Sequence, residues 1–310
     1  MRADFGKVVP LAAVLVLAGC DIEQLTGSAR FKEDFHYNYR LKPGGRLSVE
    51  NLNGSIAVHS WDQDEVEITG TKYASSQALL DALKIDVAAT DDFIQIRTVR
   101  PSGRRGNMGA KFVIRVPGRV ELNRITSSNG SIDVEGIEGG ARLRTSNGKI
   151  RVADLKGDLE VNTSNGSVTL ANTRGSAVIK TSNGSIRTDG VHGHFEAHTS
   201  NGSIRAQIFG DGDGRPIEIH TSNGSIDLTL MEQPSADVIV TSSNSMITVH
   251  APASLAAQLK AETTNAPVHT DFEVTIKGSR KKTRLEGTIN GGGPLIRLET
   301  SNGTIRLLKL

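Results

Sequence analysis

Apolar residues recur at fixed distances from a short polar turn along most of this chain. The turn reads TSNGS or a close variant, and its Asn residues are Asn129, Asn147, Asn165, Asn183, Asn201, Asn223, Asn244, Asn265 and Asn302. Around Asn165, Leu159 and Val161 come before the turn and Val168 comes after it. Apolar residues two positions apart on both sides of a turn predict two half-buried strands in each repeat.

The spacing of the turns predicts the fold class. Four successive gaps between the Asn residues are 18 residues long, and the next three are 22, 21 and 21 residues long. A second turn lies ten residues after each of the first four Asn residues, at Gly139, Gly157, Gly175 and Gly193. This period predicts an all-β parallel solenoid, a β-helix or β-roll whose coils of 18–22 residues bury their apolar sides against neighbouring coils.

An antiparallel array of hairpins is the alternative fold, because Asn-Gly also favours tight hairpin turns. We favour the parallel solenoid because the polar Ser and Asn of the phrase repeat together with the apolar residues. Stacking of like residues about 4.8 Å apart requires such repetition.

The repeats extend over residues 45–310. They are irregular over 45–120 and regular over 121–310, and SSQALLDAL at 75–83 is the one segment that predicts a short helix. In two repeats Ser245 and Ala266 replace the turn Gly, so we expect looser turns there.

The N-terminal residues predict that the protein is exported. Residues 1–19 have a basic start and an apolar run too short to span a bilayer, as in a signal peptide. They end in LAGC, which resembles the lipobox of bacterial lipoproteins and implies that Cys20 becomes the lipidated N-terminus. Residues 20–44 are interpreted as the lipidated Cys and a tether. We therefore expect a membrane anchor through lipid in the bacterial envelope.

Composition narrows the function classes. A formal net charge of +2, from 36 basic and 34 acidic residues, argues against a nucleic-acid partner. Cys20 is the single cysteine, so no disulfide can form within the chain. Asp21 resembles a signal for retention in the inner membrane, which favours its periplasmic side over the outer membrane.

Two rows of polar residues are candidate binding surfaces. The Asn row is interpreted as a structural turn ladder, because Asn readily adopts bends and bonds to nearby backbone, although a stripe of Ser and Asn facing a repetitive glycan is the functional alternative. A basic face is predicted from Arg144, Arg151, Lys180, Arg187 and Arg205. Nearby acidic residues, among them Glu160, Glu196 and Glu218, would cancel much of its field.

Metal binding and catalysis have weaker support. His192, His194, His198 and His220 lack a matching Cys or carboxylate set, so we expect no metal site and no cofactor. His198 and His220 share one position of the repeat and are expected on adjacent coils. Asp211 and Asp213 lie in a loop without the Glu that ends an EF-hand calcium loop. No hydrolase or nucleotide-binding motif occurs, so no catalytic residue is predicted.

The repeats and the lipoprotein signal together resemble a known family. The unit ENLNGSIAVHSWDQDEVEI and the serial SNGSI strands are similar to the bacterial β-strand-repeat family of unknown function labelled "putative adhesin". The resemblance implies a non-enzymatic envelope protein whose repetitive surface binds a glycan or an envelope protein. The alternatives are a periplasmic envelope-stress or signalling accessory and, third, a polysaccharide-active enzyme. An uncovered strand at the C-terminus would also permit self-association.

Overall fold

The computed structural model describes residues 31–103, 106–210, 214–276 and 281–310. The chain is all-β and forms two long sheets of 13 and 14 strands, joined by one short helix and many turns. Over most of the solenoid, successive strands of the chain alternate between the two sheets, so neighbouring strands within a sheet are two strands apart in the chain.

The irregular N-terminal part forms seven strands and the helix. They are β1 Phe31–Arg40, β2 Gly45–Asn53, β3 Ile56–Trp61, β4 Glu65–Ala74, α1 Gln77–Ala82, β5 Lys84–Thr90, β6 Phe93–Val99 and β7 Met108–Pro117. The helix confirms the prediction for 75–83, and the Ser76 hydroxyl accepts a hydrogen bond from the Leu79 N–H at its start.

β1 corrects the predicted tether, which extended too far. Phe31–Arg40 pairs antiparallel with β4 along its whole length. The alternating residues Phe35, Tyr37 and Tyr39 pack against the core, which explains why this segment is a strand. Cys20 and the rest of residues 1–30 lie outside the described residues.

The regular repeats confirm the parallel solenoid with two strands per coil. Its strands are β8 Val120–Asn129, β9 Ile132–Glu135, β10 Ala141–Thr145, β11 Ile150–Lys156, β12 Leu159–Asn162, β13 Val168–Arg174, β14 Ala177–Lys180, β15 Ile186–His192, β16 Phe195–Thr199, β17 Ile204–Ile208, β18 Ile217–Thr221, β19 Ile226–Leu230, β20 Val238–Ser242 and β21 Ile247–Ala251. Equivalent residues stack in register, as Ile132, Ile150 and Val168 do. The alternative of an antiparallel hairpin array is wrong here, because every strand pair between these coils is parallel.

The core fills the space between the two sheets. In the coils of β8–β21, the apolar positions before and after each Asn are almost fully buried, with Leu159, Val161 and Val168 at most 2% exposed. Charged residues alternate with them and face outward, so each sheet has one apolar and one solvated face. Among the described residues, no helix is long and apolar enough to cross a membrane.

The Asn row forms a continuous hydrogen-bonded ladder along the solenoid. Each side-chain amide donates to the side-chain oxygen of the preceding coil at 2.7 or 2.8 Å. The ladder begins at Asn53, whose amide donates to the Met108 carbonyl at 2.9 Å. The predicted turn ladder is therefore present, and Asn53 extends it into the irregular part.

The Gly after the ladder Asn is required by close packing between coils and not by its backbone conformation. In the regular coils these glycines do not have positive φ, whereas Gly139, Gly157, Gly175 and Gly193 of the second turn do. A Cβ on Gly166 would lie 1.7 Å from the Gly148 carbonyl oxygen of the preceding coil. Close stacking of backbone thus excludes a side chain at this position.

The end of the chain returns into the stack. Its strands are β22 Ala257–Thr263, β23 Val268–Thr270, β24 Thr275–Ile276, β25 Arg284–Ile289, β26 Leu295–Thr300 and β27 Ile305–Lys309. β26 lies between β20 and β22, and β27 lies between β21 and β23. The Asn ladder follows the same order, from Asn244 to Asn302 to Asn265.

This placement corrects the expected C-terminal edge. Because β27 has a parallel neighbour on both sides, the last strand offers no free edge for self-association. The chain leaves the stack after β23, forms the antiparallel β24 and β25, and inserts its final coil one layer earlier.

Candidate functional site

The predicted basic face is divided between two opposite surfaces. Arg144 and Lys180 lie on the second sheet, whereas Arg151, Arg187 and Arg205 lie on the first. The reason is that the Asn turn separates the two sets and carries the chain from one sheet to the other. The five residues therefore do not form one surface.

Acidic neighbours pair with several of these cations. Arg151 contacts Asp133 at 3.4 Å and Arg205 contacts Asp227 at 3.2 Å, both across adjacent coils. Lys180 contacts Glu196 at 3.2 Å. Within the described ranges, Arg144 and Arg187 have no ion-pair partner. The three cations are solvent-exposed and the acids are half-buried, so these contacts mainly reduce the local positive potential.

A groove of about 700 Å³ crosses the outer face of the second sheet over β8, β10, β12 and β14. We call it the second-sheet groove. Its polar lining consists of Glu121, Asn123, Arg142, Asp158, Glu160, Ser176 and Lys180. A smaller depression of about 220 Å³ shares Asn123, Arg142 and Glu160 with it and extends toward Arg144 and Asn162.

Glycines open one side of the groove. Gly139, Gly140 and Gly157 lie at the second turn of adjacent coils and contribute no side chains to the lining. Gly139 and Gly157 have φ of 153° and 150°, so the turn itself favours glycine. The same residues that let coils stack closely thus leave the groove accessible.

The polar groups of the groove are held by local bonds. Glu121 accepts a hydrogen bond from the Gly140 N–H at 2.9 Å, and Asp158 accepts one from the Ser176 N–H at 3.0 Å. The Arg142 guanidinium donates to the Asn123 side-chain oxygen at 3.3 Å and lies 3.7 Å from Glu160. Donors and acceptors of both charge signs are therefore fixed on successive coils.

Sequence reasoning missed most of these residues. The sequence identifies Glu160 only as an acidic neighbour of the basic face, and it predicts Arg144 rather than Arg142 as a binding residue. A usable signal was the Gly139-Gly140 pair beside Arg142, since adjacent small residues at a turn open space next to a charged position. The pairing of Arg142 with Glu160 across coils follows from their equivalent positions one repeat apart.

The histidines form a stacked pair beyond the groove. The rings of His198 and His220 lie 4.8 Å apart and nearly parallel, which confirms their predicted placement on adjacent coils. His198 also lies 3.0 Å from a Glu196 carboxylate oxygen. Partial burial, with a smaller contribution from His198, lowers the pKa of His220 below its ordinary value.

The other candidate ligands are separate. His192 stacks on Phe209 at 4.8 Å, and His194 is buried with its Nδ1 atom unpaired. In the part of the chain that the structure describes, no group of three or more His, Cys, Asp or Glu side chains could hold a metal ion. Asp211 and Asp213 lie outside the described residues.

Comparison with known families identifies the repeat. The sequence model of the family described as Toastrack DUF4097 matches residues 45–308. The chain belongs to the toastrack family. This toastrack domain coincides with the predicted repeat region and begins at β2, so β1 precedes the matched segment.

Solved structures similar to this toastrack protein have low identity to it. A "putative adhesin" from Parabacteroides distasonis is 12% identical, with a TM-score of 0.33 and coverage of 90% of this chain and 97% of that one. A "putative cell adhesion protein" from Clostridium sporogenes is also 12% identical, with a TM-score of 0.24 and coverage of 90% and 100%. The search of curated proteins found no match.

Proposed function

We propose that this toastrack protein is a non-enzymatic, lipid-anchored protein of the bacterial envelope that binds an extended glycan in the second-sheet groove. The observation that carries the proposal is the groove itself, where fixed polar side chains from four adjacent strands follow one another. Neighbouring strands lie about 4.8 Å apart, so the groove offers a contact to each of several successive units of a polymer.

The charges of the groove favour a neutral or zwitterionic glycan. Arg142, Lys180 and the Asn123 amide supply donors, whereas Glu121, Asp158 and Glu160 supply acceptors. Three carboxylates beside two cations would repel a polyanion. Hydroxyl and acetamido groups match this mixed lining, because each can donate and accept hydrogen bonds.

The anchor is proposed from the sequence. The LAGC segment ending at Cys20 supports lipidation, and Asp21 supports retention at the inner membrane. Lipid attachment would hold the solenoid beside the membrane without a spanning segment.

A glycan array probed with the full-length detergent-solubilised chain tests binding. We expect a neutral or zwitterionic glycan to be retained, and the Arg142→Ala, Glu160→Ala double variant to weaken its binding by about tenfold or more, since each lost polar contact costs on the order of 1 kcal/mol. Both side chains are solvent-exposed, so the fold should persist. Arg187→Ala, on the first sheet, is the matched control and should bind normally.

Three outcomes would change the interpretation. Binding that survives the double variant but is lost with Arg187→Ala would move the site to the first sheet. Shortening of the glycan during incubation would support a polysaccharide-active enzyme, with the groove carboxylates as the first residues to replace. Retention of an envelope protein instead of any glycan would favour the signalling accessory.

A further inference from the structure

The two sheets extend to different lengths at the N-terminal end of the solenoid. β2 and β3 belong to one coil and lie in opposite sheets. Beyond that coil the first sheet continues with β7, β4 and β1, whereas the second continues only with β6 and β5. β1 therefore extends one strand beyond the second sheet and forms a shelf.

The shelf leaves apolar side chains incompletely covered. Phe35, Tyr37 and Tyr39 of β1 face the core side but are only half-buried, whereas Ile68 and Ile114 of the next two strands are fully buried. Phe35 packs edge-on against Phe112, with ring centroids 5.4 Å apart. On β5, Ile85 and Val87 are also half-buried. In the described part of the chain, β1 and β5 each have a strand on one side only.

The opposite end of the solenoid is protected against strand addition. The outermost strands there are β23, of three residues, and β24, of two residues. The Val268 N–H at the β23 edge already donates to the Lys282 carbonyl at 2.9 Å. Such short edges resist pairing, whereas ten residues of β1 and seven of β5 offer long ones.

We propose that two copies of this chain join through their N-terminal ends, with β1 of each copy paired to β5 of the other. A two-fold axis parallel to the strands exchanges the positions of the two sheets. The long first sheet of one copy then meets the short second sheet of its partner, so the two shelves fit together. The aromatic rows of the two β1 strands would face each other across the joint.

The directions of β1 and β5 are compatible with this interface. β1 is antiparallel to β4, which is antiparallel to β7, and β7 is parallel to β3. β5 is antiparallel to β6, which is parallel to β2. Since β2 and β3 run in opposite directions, β1 and β5 run in the same direction. The chosen axis preserves strand direction, so the new pairing is parallel, as in most of the solenoid.

One register gives complementary side chains. Asp34 lies beside the partner's Lys84 and His36 beside the partner's Asp86 on the outer face. On the core face, Phe35 and Tyr37 lie beside the partner's Ile85 and Val87. The opposite charges of Asp34 and Lys84, a hydrogen bond from the His36 imidazole to Asp86, and aromatic to β-branched contacts are all favourable across strands. A shift by two residues one way would instead place Lys32 beside Lys84 and Asp34 beside Asp86, which are repulsive pairs. A shift the other way would place His36 beside Lys84 and leave Asp34 beyond the start of β5.

Charge reversal tests the pairing. Sedimentation equilibrium of the full-length chain in density-matched detergent should give the mass of a dimer. Asp34→Lys and Lys84→Asp should each weaken dimerisation by about tenfold, because each places like charges side by side twice in the symmetric interface. The combined variant should restore the wild-type constant. Both positions are exposed, so neither change should disturb folding.

Glu273→Lys, an exposed change at the protected end, is the matched control and should leave the mass unchanged. A monomeric wild type would overturn the proposal. Such a result would also be expected if residues 1–30 of the same chain cover the shelf. A dimer indifferent to both single reversals would also overturn it, as would a combined variant that fails to restore association.

Discussion

The turn glycine of each regular coil is required by the carbonyl of the neighbouring coil. Gly148 and Gly166 are stacked so closely that the space for a Cβ is filled by backbone. Ser245 shows that the rule is relaxed at one coil, where its hydroxyl instead donates to the Asn223 carbonyl at 3.0 Å.

Replacing one stacked glycine should therefore be costly. We expect Gly166→Ala to lower the free energy of unfolding by about 1–3 kcal/mol, the usual cost of overpacking a tight site. Gly118→Ala is the matched control, because a Cβ there would meet nothing within 4 Å. Thermal unfolding followed by circular dichroism compares the two. Equal midpoints would show that the coils can separate enough to admit a methyl group.

The hydroxyl before the turn forms a second, buried ladder that the sequence analysis overlooked. Each residue donates to the carbonyl of the turn residue one coil away at 2.9–3.4 Å, and all are buried: Ser127, Thr145, Thr163, Thr181, Thr199, Thr221, Ser242, Thr300 and Thr263. Thr199 also accepts from the Gly202 N–H at 3.2 Å. These hydroxyls satisfy backbone groups that the turn leaves unpaired.

Two threonine replacements should have opposite effects. Thr199→Val removes two hydrogen bonds from buried partners and should destabilise by about 1–3 kcal/mol. Thr173→Val should be neutral or stabilising, because the Thr173 hydroxyl is buried without a hydrogen-bond partner. Urea unfolding of both variants measures the difference. Similar losses in both would mean that shape rather than hydrogen bonding determines the role of Thr199.

His220 should make stability depend on pH. Its pKa is lowered in the folded state, with His198, Glu196, Glu218 and Lys180 around it on the same sheet face. The unfolded chain therefore binds the proton more readily, and the stabilisation is present above the ordinary histidine pKa and decreases as pH falls toward the lowered one.

We expect His220→Gln to reduce the drop in unfolding midpoint between about pH 7.5 and about pH 5.5, the range of histidine titration. His269→Gln, at an exposed position of the first sheet, is the control. An unchanged drop in the His220 variant would assign the pH dependence to other groups.

The order of coils in space differs from their order in the chain. β26 and β27 lie between two coils that both come earlier in the chain, so the last residues bridge those two coils. A parallel strand without its neighbour loses both packing and backbone hydrogen bonds.

Truncation after Gly293 should therefore expose more than one layer. We expect hydrogen exchange to show lost protection in both Val238–Ser242 and Ala257–Thr263, because β26 separates them. Ile150–Lys156, far from the cut, should keep its protection. Loss confined to Ala257–Thr263 would indicate that the coils stack in chain order.

The sequence predicts the coil well and the two ends poorly. Around Asn165, the alternation of apolar and polar residues defines two strands. Because the same alternation recurs in the other coils, the sequence also predicts that the coils stack. Phe35, Tyr37 and Tyr39 alternate as in any strand, but because no repeat includes them the sequence predicts a tether for this segment. Asn302 carries the same phrase as the other turns, so nothing local specifies its layer.

The groove was harder to predict than the coil. Arg142 and Glu160 become neighbours only when adjacent coils align, and the open space beside them depends on Gly139 and Gly157 at the turn. The division of the predicted basic residues between two faces likewise follows from where each turn reverses the chain. Prediction of the site therefore requires two kinds of information. The repeat supplies the register between adjacent coils, but only the fold shows which sheet each residue lies on.

For the whole molecule, a rigid solenoid with a polar groove is suited to binding at a surface, provided that the chain is held there. Lipid attachment at Cys20 would provide that position, and the groove begins at β8, the fourth strand from the N-terminal end of the second sheet. Location in the cell thus determines whether the proposed glycan is accessible.

Membrane fractionation of the native protein, combined with protease treatment of intact cells, tests the proposed function most directly. We expect the wild type in the inner-membrane fraction and protected from protease until the envelope is opened, and a Cys20→Ser variant released from the membrane. Equal distribution of the two proteins would contradict lipid anchoring. Cleavage of the wild type in intact cells would contradict retention at the inner membrane and favour binding at the outer surface.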